Sequence, residues 1–526
     1  MTFHKATAYN NIIIKPSLEE TKMKVLECFA IMLCSIVPFT NPATAVERHV
    51  PSDYSTIQAA INACNNGDIV IIATGTYTGT GNRDIDFKGK SLIVRGETGD
   101  PNDCIIDCQG DPNNLRRGFK FVSGENANSV LEAVTVTNGY APKESIFRTG
   151  GAVFCDKSSP TISNCIFSNN SAVYLNDNAW GGAVSNFNNS NPRIENCTFT
   201  DNISNNYGGG ISDYNSCRPT IINCNFTNNR AYYGGGGVFN YIDSSPIITD
   251  CNFIANSSDY HGTAIENLAR SNSIISNCVI KDNSGSYGGG AIFNSYSNST
   301  ISNCIILNNS NSWSGGIYNF GSSPYINNCV INHNLGFHST GTGGISNDYN
   351  SSPIIKNCVI NNNLAIFCGG IRNMNNSIPV IINSIIWGNV PTQISDLNTV
   401  VSYSDIQGGY AGTGNINAEP LFAGDGFHLT GVSPCIDAGD PNTIIEPNET
   451  DIDGEPRIVG GRIDMGADEF SCIGDFNNDN NVDFIDFAIL AGSWQQNDPL
   501  RNIAPPDNII DIEDLSAFCD NWLGCQ

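Results

Sequence analysis

Between residues 160 and 389 hydrophobic and polar positions recur in one order, about every 27 residues. A cysteine stands at the centre of each copy: Cys165, Cys197, Cys224, Cys251, Cys278, Cys304, Cys329 and Cys358, with Ser384 in the ninth place. Two residues later comes a large apolar group: Phe167, Phe199, Phe226, Phe253, Ile280, Ile306, Ile331, Ile360 and Ile386. That separation puts both residues on one face of a strand. Three residues before the cysteine stands an isoleucine: Ile162, Ile194, Ile221, Ile248, Ile275, Ile301, Ile326, Ile355 and Ile381. A separation of three breaks the strand period, so the chain must turn if both flanks face one core.

The residue just before the cysteine can make that turn. It is Asn in every copy except Asp250, and these two types best tolerate a left-handed backbone. A further Asn falls five residues after each cysteine, from Asn170 to Asn389. A third apolar series follows the glycines, as in residues 236–240 and 343–347. Each copy therefore predicts several short strands joined by corners that Asn or Gly can occupy. Stacked copies give a right-handed parallel β-helix, in which every strand pairs with its equivalent one turn on. Asn side chains would then bond to one another along the axis. The cysteines become a file of small apolar core groups, aligned poorly for disulfides and unable to surround a metal.

A solenoid needs closed ends. Residues 53–66 predict a short capping helix, with Ser55 and Gln58 as a capping box and Ile57, Ala60, Ile61 and Cys64 on one face. Residues 69–72 then read as the first strand, turned by residues 75–77. This stretch resembles the start of pectin-lyase-like right-handed β-helix proteins, and the Asn-rich repeats are similar to that superfamily and to polymorphic outer-membrane protein repeats, over roughly residues 51–389. From residue 391 the period decays into "SPCIDAGDP", "DIDGEPR" and "DMGADEF", ending at residue 470. That series looks like a module that follows β-helices in bacterial exported proteins, with the expected role of closing the solenoid.

Composition changes this picture in three ways. Only 14% of the 526 residues are charged, and the net charge is -26. A chain so acidic is repelled by nucleic acid and by anionic lipid. The acid is concentrated: residues 437–526 hold 20 Asp and Glu against 3 Arg. Residues 1–45 read as a secretory signal region, with Lys22 and Lys24, an apolar run over residues 29–39 and an Ala-Thr-Ala site, Met23 being an alternative start. The run is too short to span a bilayer, so the expectation is an exported or cell-surface monomer without a transmembrane segment.

The most specific chemical motif is residues 475–486, "DFNNDNNVDFID". Asp475, Asn477, Asp479, Asp483 and Asp486 put side-chain oxygens at loop positions 1, 3, 5, 9 and 12, and Asn481 offers a carbonyl at position 7. Calcium takes six to eight hard oxygens at such spacing. The motif is similar to the EF-hand-type loop of a type I dockerin, which implies residues 472–526 as a small helical domain docking onto a cohesin-like partner. A degenerate second loop would use Asn502, Asp507, Asp511 and Asp514. Cys472, Cys519 and Cys525 could supply one disulfide to this small domain.

Two features compete for function within the repeats. Asp259, His261 and Glu266 gather where His261 interrupts a glycine pair, with Lys281 and Asp282 one turn on; an ordinary exposed loop is the alternative. Trp180, Tyr207, Tyr233, Tyr260, Tyr287 and Trp313 recur at steps of 26 or 27. Such a row either stacks the sugar rings of a polysaccharide or packs on itself. The expectation is an all-β fold: a solenoid over residues 46–390, a closing module to 470 and a calcium-dependent tail. It would bind polysaccharide or a surface, or act as a polysaccharide lyase or glycoside hydrolase of the pectin-lyase-like superfamily.

Overall fold

The computed structural model describes residues 45–144, 147–173, 178–396, 398–445, 449–459, 461–471, 474–476, 482–498, 501 and 509–520. Of the expected secretory region, residues 1–45, all but the last lie outside them. The chain coils into a parallel β-solenoid whose turns align four sheets of 14, 13, 8 and 11 strands. One turn gives the plan. Strand Ile247–Thr249 lies in the first sheet, Asn252–Ile254 in the second, Ser257–Ser258 in the short third and Ile265–Leu268 in the fourth. Each pairs in register with its equivalent one turn on: Ile248 with Ile275, Phe253 with Ile280, and Ile265 with Ile292.

The predicted corner is built as the repeat requires. Asn164, Asn196, Asn223, Asp250, Asn277, Asn303, Asn328, Asn357 and Asn383 all have φ between 49° and 56°. The isoleucine before each and the cysteine after it are buried in one core with the Phe and Ile ladder. Phe199, Phe226 and Phe253 stack at 4.6 Å, nearly parallel. Cys224 and Cys251 are neighbours along the axis, the Cys224 N–H reaching Cys251 Sγ at 3.4 Å. All described cysteines are free, and only Cys519 is exposed. Burial pushes the Cys197 and Cys278 thiols up, which keeps them protonated.

The second corner falls one residue earlier than the conserved spacing of Asn implied. The left-handed residue there is Asn169, Asp201, Asn228, Ala255, Asp282, Asn308, His333, Asn362 or Gly388. The next residue, always Asn, turns its side chain inward and is buried. Asn229 donates through its backbone N–H and its Nδ2 to Asn256 Oδ1, at 3.0 and 2.9 Å, while Asn256 Nδ2 also reaches Phe226 O at 2.8 Å. The same bonds continue through Asn283, Asn309, Asn334, Asn363 and Asn389. A second buried file runs up the fourth sheet. Asn240, Asn267, Asn294, Asn319 and Asn347 each donate Nδ2 to the Oδ1 of the next, at 2.8–3.0 Å, and the file ends on Asn373. Amides of this kind suit a coil core because one side chain accepts from the turn before and donates to the turn after.

At the N-terminal end the helix is Ile57–Ala63, capped by Thr56, whose side chain accepts from the Ala59 N–H. The expected Ser55–Gln58 box does not form, because Gln58 reaches sideways to the Asp86 N–H and C=O at 2.8 and 3.0 Å. Two further corrections follow from pairing. Glu47–Val50 precedes residues 69–72 and pairs with them, and residues 75–77 are a strand of the second sheet, not a turn.

The described residues between 420 and 470 run back along the outside of the solenoid, beyond the closing role expected for them. Leu429, Cys435, Met465 and Ala467 cover Val330, Val359 and Ile385, the outward apolar row of the second sheet. Asn328 Nδ2 donates to Thr450 O at 3.2 Å, so the loop at 449–454 lies over the Asn corner. Toward the C-terminus, helices Phe484–Gly492 and Ile512–Asp520 contribute to a small core of Val482, Leu490, Ile510 and Phe518.

Candidate functional site

Alternation along the fourth sheet sends Val238, Ile265, Ile292 and Ile317 into the core and the residue after each outward. Those outward residues are Phe239, Glu266, Phe293 and Tyr318. Around residues 147–241 the outer face is itself covered. Phe147 lies 4.6 Å from Trp180 and 5.5 Å from Tyr214, and Phe154 and Phe187 complete the cluster. Farther along, the face forms a groove.

The expected aromatic row divides along its length. Trp180 is 5% exposed and belongs to the covered cluster, so it meets no ligand. Tyr207 stacks on Phe239 at 4.2 Å and on Tyr233 at 5.4 Å. Tyr233, Tyr260 and Tyr287 continue the file, at 5.5 and 5.1 Å. Over these residues the row packs on itself. Tyr287 ends the file with 63% of its surface exposed, while Trp313 stacks on His338 at 5.5 Å. Between Tyr287 and Trp313 opens a pocket of about 440 Å³, floored by Leu268, Phe293, Tyr318 and Phe320. Phe320 also belongs to a second aromatic group outside the pocket lining that the sequence did not announce: Tyr296 lies 5.6 Å from Phe320, and Phe320 stacks on Tyr349 at 5.2 Å.

His261 lines this pocket, and of the expected cluster only Glu266 joins it. His261 Nδ1 lies 3.1 Å from Glu266 Oε1. Asp259 instead pairs with Arg230 at 3.1 Å. Lys281 ends a second-sheet strand and Asp282 is the corner after it, so neither faces the fourth-sheet groove. Glu266 is fully buried, and its Oε2 has no partner among the described residues. It fits because the preceding turn has Gly234, where a Cβ would stand 1.6 Å from Oε2. Burial raises the Glu266 carboxyl against the pull of His261; burial lowers the imidazole, but Glu266 outweighs it, so His261 is held above its ordinary value. A buried carboxylate thus sits against an imidazole whose other side borders the pocket.

Of the calcium residues, Asn477, Asp479, Asn481, Asn502 and Asp507 lie outside the described residues, as do Cys472 and Cys525. Asp475, Asp483, Asp486, Asp511 and Asp514 are described. Asp486 is buried and accepts from the Phe476 and Asp483 N–H groups at 2.8 and 3.0 Å. Asp514 accepts from the Asp511 N–H at 2.9 Å, and Asp511 caps Glu513 as Asp483 caps Ile485. The two halves thus repeat one local construction at loop positions 9 and 12. Their hard carboxylate oxygens are the donor chemistry calcium takes.

Residues 153–293 match the family model described as a right handed beta helix region. A search of curated proteins returns no match. Among solved structures the chain is similar to pectate lyase Pel9A, at 15% identity over 81% of this chain and 96% of that one, TM-score 0.37. It is similar to the PL6 family alginate lyase AlyGC, at 13% identity over 73% and 55%, TM-score 0.40. It is also similar to the catalytic domain of a GH87 alpha-1,3-glucanase in complex with tetrasaccharides, at 12% identity over 72% and 67%, TM-score 0.39. These likenesses assign no substrate and no residue. No described helix is long and apolar enough to cross a membrane. The coil of the described chain is a right-handed parallel β-helix.

Proposed function

We propose that this is an exported or cell-surface protein whose fourth-sheet groove binds a polysaccharide. One observation carries the reading: the aromatic file opens between Tyr287 and Trp313 onto a pocket with rings on several sides. Sugar rings present apolar C–H faces and polar edges, which aromatic walls and a single imidazole accommodate. Residues 472–526 would supply a dockerin-like attachment to a cohesin-like or surface partner. Calcium would be held there by Asp475, Asn477, Asp479, Asn481, Asp483 and Asp486, and in the second loop by Asn502, Asp507, Asp511 and Asp514. The ion would neutralise these carboxylates and fix the loop.

A polysaccharide panel tests the groove. The expected result is retention by at least one glycan, lost in the Tyr287→Ala/Trp313→Ala double variant. Equal retention by the variant refutes it. For the tail, calorimetry should find calcium uptake that falls in Asp475→Ala; no uptake by the full chain removes the attachment reading. The His261–Glu266 pair favours a second reading, a polysaccharide lyase or glycoside hydrolase using the same groove, with His261 moving the proton. Unsaturated or reducing ends released from the panel and abolished by His261→Ala would establish it; their absence leaves the groove a binding surface.

A further inference from the structure

The module that folds back over the solenoid carries a side-chain group unrelated to the groove. His428 bridges two carboxylates: Nδ1 bonds Asp425 Oδ2, and Nε2 lies 2.6 Å from Asp453 Oδ2. Asp468 completes the set, and one ligand atom each from His428, Asp453 and Asp468 lie within 4.8 Å of one another. We propose that His428, Asp453 and Asp468 form a site for a divalent cation of the zinc class, which clasps this module together.

Three features separate the set from a chance gathering of acids. Asp468 is 7% exposed, and its Oδ2 accepts from the Leu429 N–H at 2.7 Å. Its other oxygen has no hydrogen-bond partner among the described residues. That oxygen keeps access to solvent, so it is open to a cation arriving from water. Second, Asp425 occupies Nδ1 and so directs Nε2 toward Asp453. A carboxylate on the remote nitrogen is how metal-bound imidazoles are oriented and made more basic. Third, Asp453 also borders a separate cavity of about 590 Å³ with Asp250, Asn277 and Asn303, which gives water access to one side.

The donor types decide the ion. One imidazole nitrogen with two carboxylates suits zinc and its neighbours, whereas calcium and magnesium take oxygen almost alone. The three ligands come from a turn at 425–428, the loop at 449–454 and the segment near 468. The middle one rests on the solenoid's Asn corner. An ion there would tie these segments to each other, and through the loop to the coil.

The test titrates Zn²⁺ calorimetrically into the full chain under saturating Ca²⁺, which keeps the oxygen-only loops filled. The wild-type chain should take up one equivalent more than His428→Ala or Asp468→Asn. Asp425→Asn should keep that equivalent but bind it roughly 10–100-fold more weakly, as expected when only the orienting group is lost. Equal stoichiometry in wild type and His428→Ala overturns the proposal, as does an Asp425→Asn affinity equal to wild type. If His428→Ala does not fold, the His428 Cε1–H resonance of the wild-type chain decides. A Zn²⁺-dependent shift supports the site, and an unmoved resonance refutes it.

Discussion

Replacing Asp213 by Asn should stabilise the solenoid above neutral pH and leave it nearly unchanged in acid. Asp213 occupies a place in the buried Asn file of the fourth sheet. Asn186 Nδ2 donates to its Oδ1 at 2.8 Å, as the file requires. The next step fails: Asp213 Oδ2 and Asn240 Oδ1 are both buried without a partner among the described residues, and the two residues are paired neighbours. Where an amide would donate, an ionised carboxylate only accepts. Protonating Oδ2 restores the missing donor. Burial raises this carboxyl to about 7, against the lowering bond from Asn186. The unfolded value is about 3.9. The folded chain therefore binds the proton more tightly, and stability falls as pH rises from about 4 to about 7. Three units at 1.36 kcal/mol each give about 4 kcal/mol, all of it absent below pH 4 and fully expressed above pH 7. Solenoid stability is largely a sum over neighbouring turns, so amide exchange in residues 184–187, 211–214 and 238–241 is the appropriate assay. Asp213→Asn should slow exchange there at pH 8, after correction for intrinsic rates, and match wild type near pH 4. The same pH dependence in both chains would refute the argument.

Asn256→Ala removes the acceptor for two Asn229 donors and the donor to Phe226 O; leaving them buried should cost about 3 kcal/mol, seen as faster exchange in the adjoining turns. Glu266→Gln should drop the His261 pKa below its ordinary value, because burial alone then acts on it; an NMR titration unchanged from wild type contradicts the pairing. The buried thiols should resist a polar disulfide reagent in the native chain and react on unfolding, whereas rapid native labelling of Cys224 or Cys251 contradicts the packed file.

The solenoid was legible because its period is written in residues with one physical use each. Ile, Asn, Cys and Phe at fixed spacing name a core, a corner and a core again. The second corner was misplaced by one because its residues vary, from Asn and Asp to Ala255, His333 and Gly388, while the invariant Asn beside it serves hydrogen bonding. The groove was half legible. Tyr260, Tyr287 and Trp313 follow the period, but Tyr296 and Tyr349 sit at corners with φ of 50° and 57°, where no pattern favours an aromatic. The pairing of His261 with Glu266 rested on a break in a glycine run, and Gly234 explains it only once turns are stacked. The path of residues 420–470 was not legible, since long-range contact with Val330, Val359 and Ile385 leaves no period.

The most direct measurement titrates the panel's best-retained oligosaccharide into wild type, Tyr287→Ala and Trp313→Ala. A ring stacked between the two should lose about 1–2 kcal/mol per deletion, roughly 10-fold in Kd, with Tyr214→Ala in the covered cluster unaffected. Binding of equal strength in wild type and both pocket variants would contradict the account.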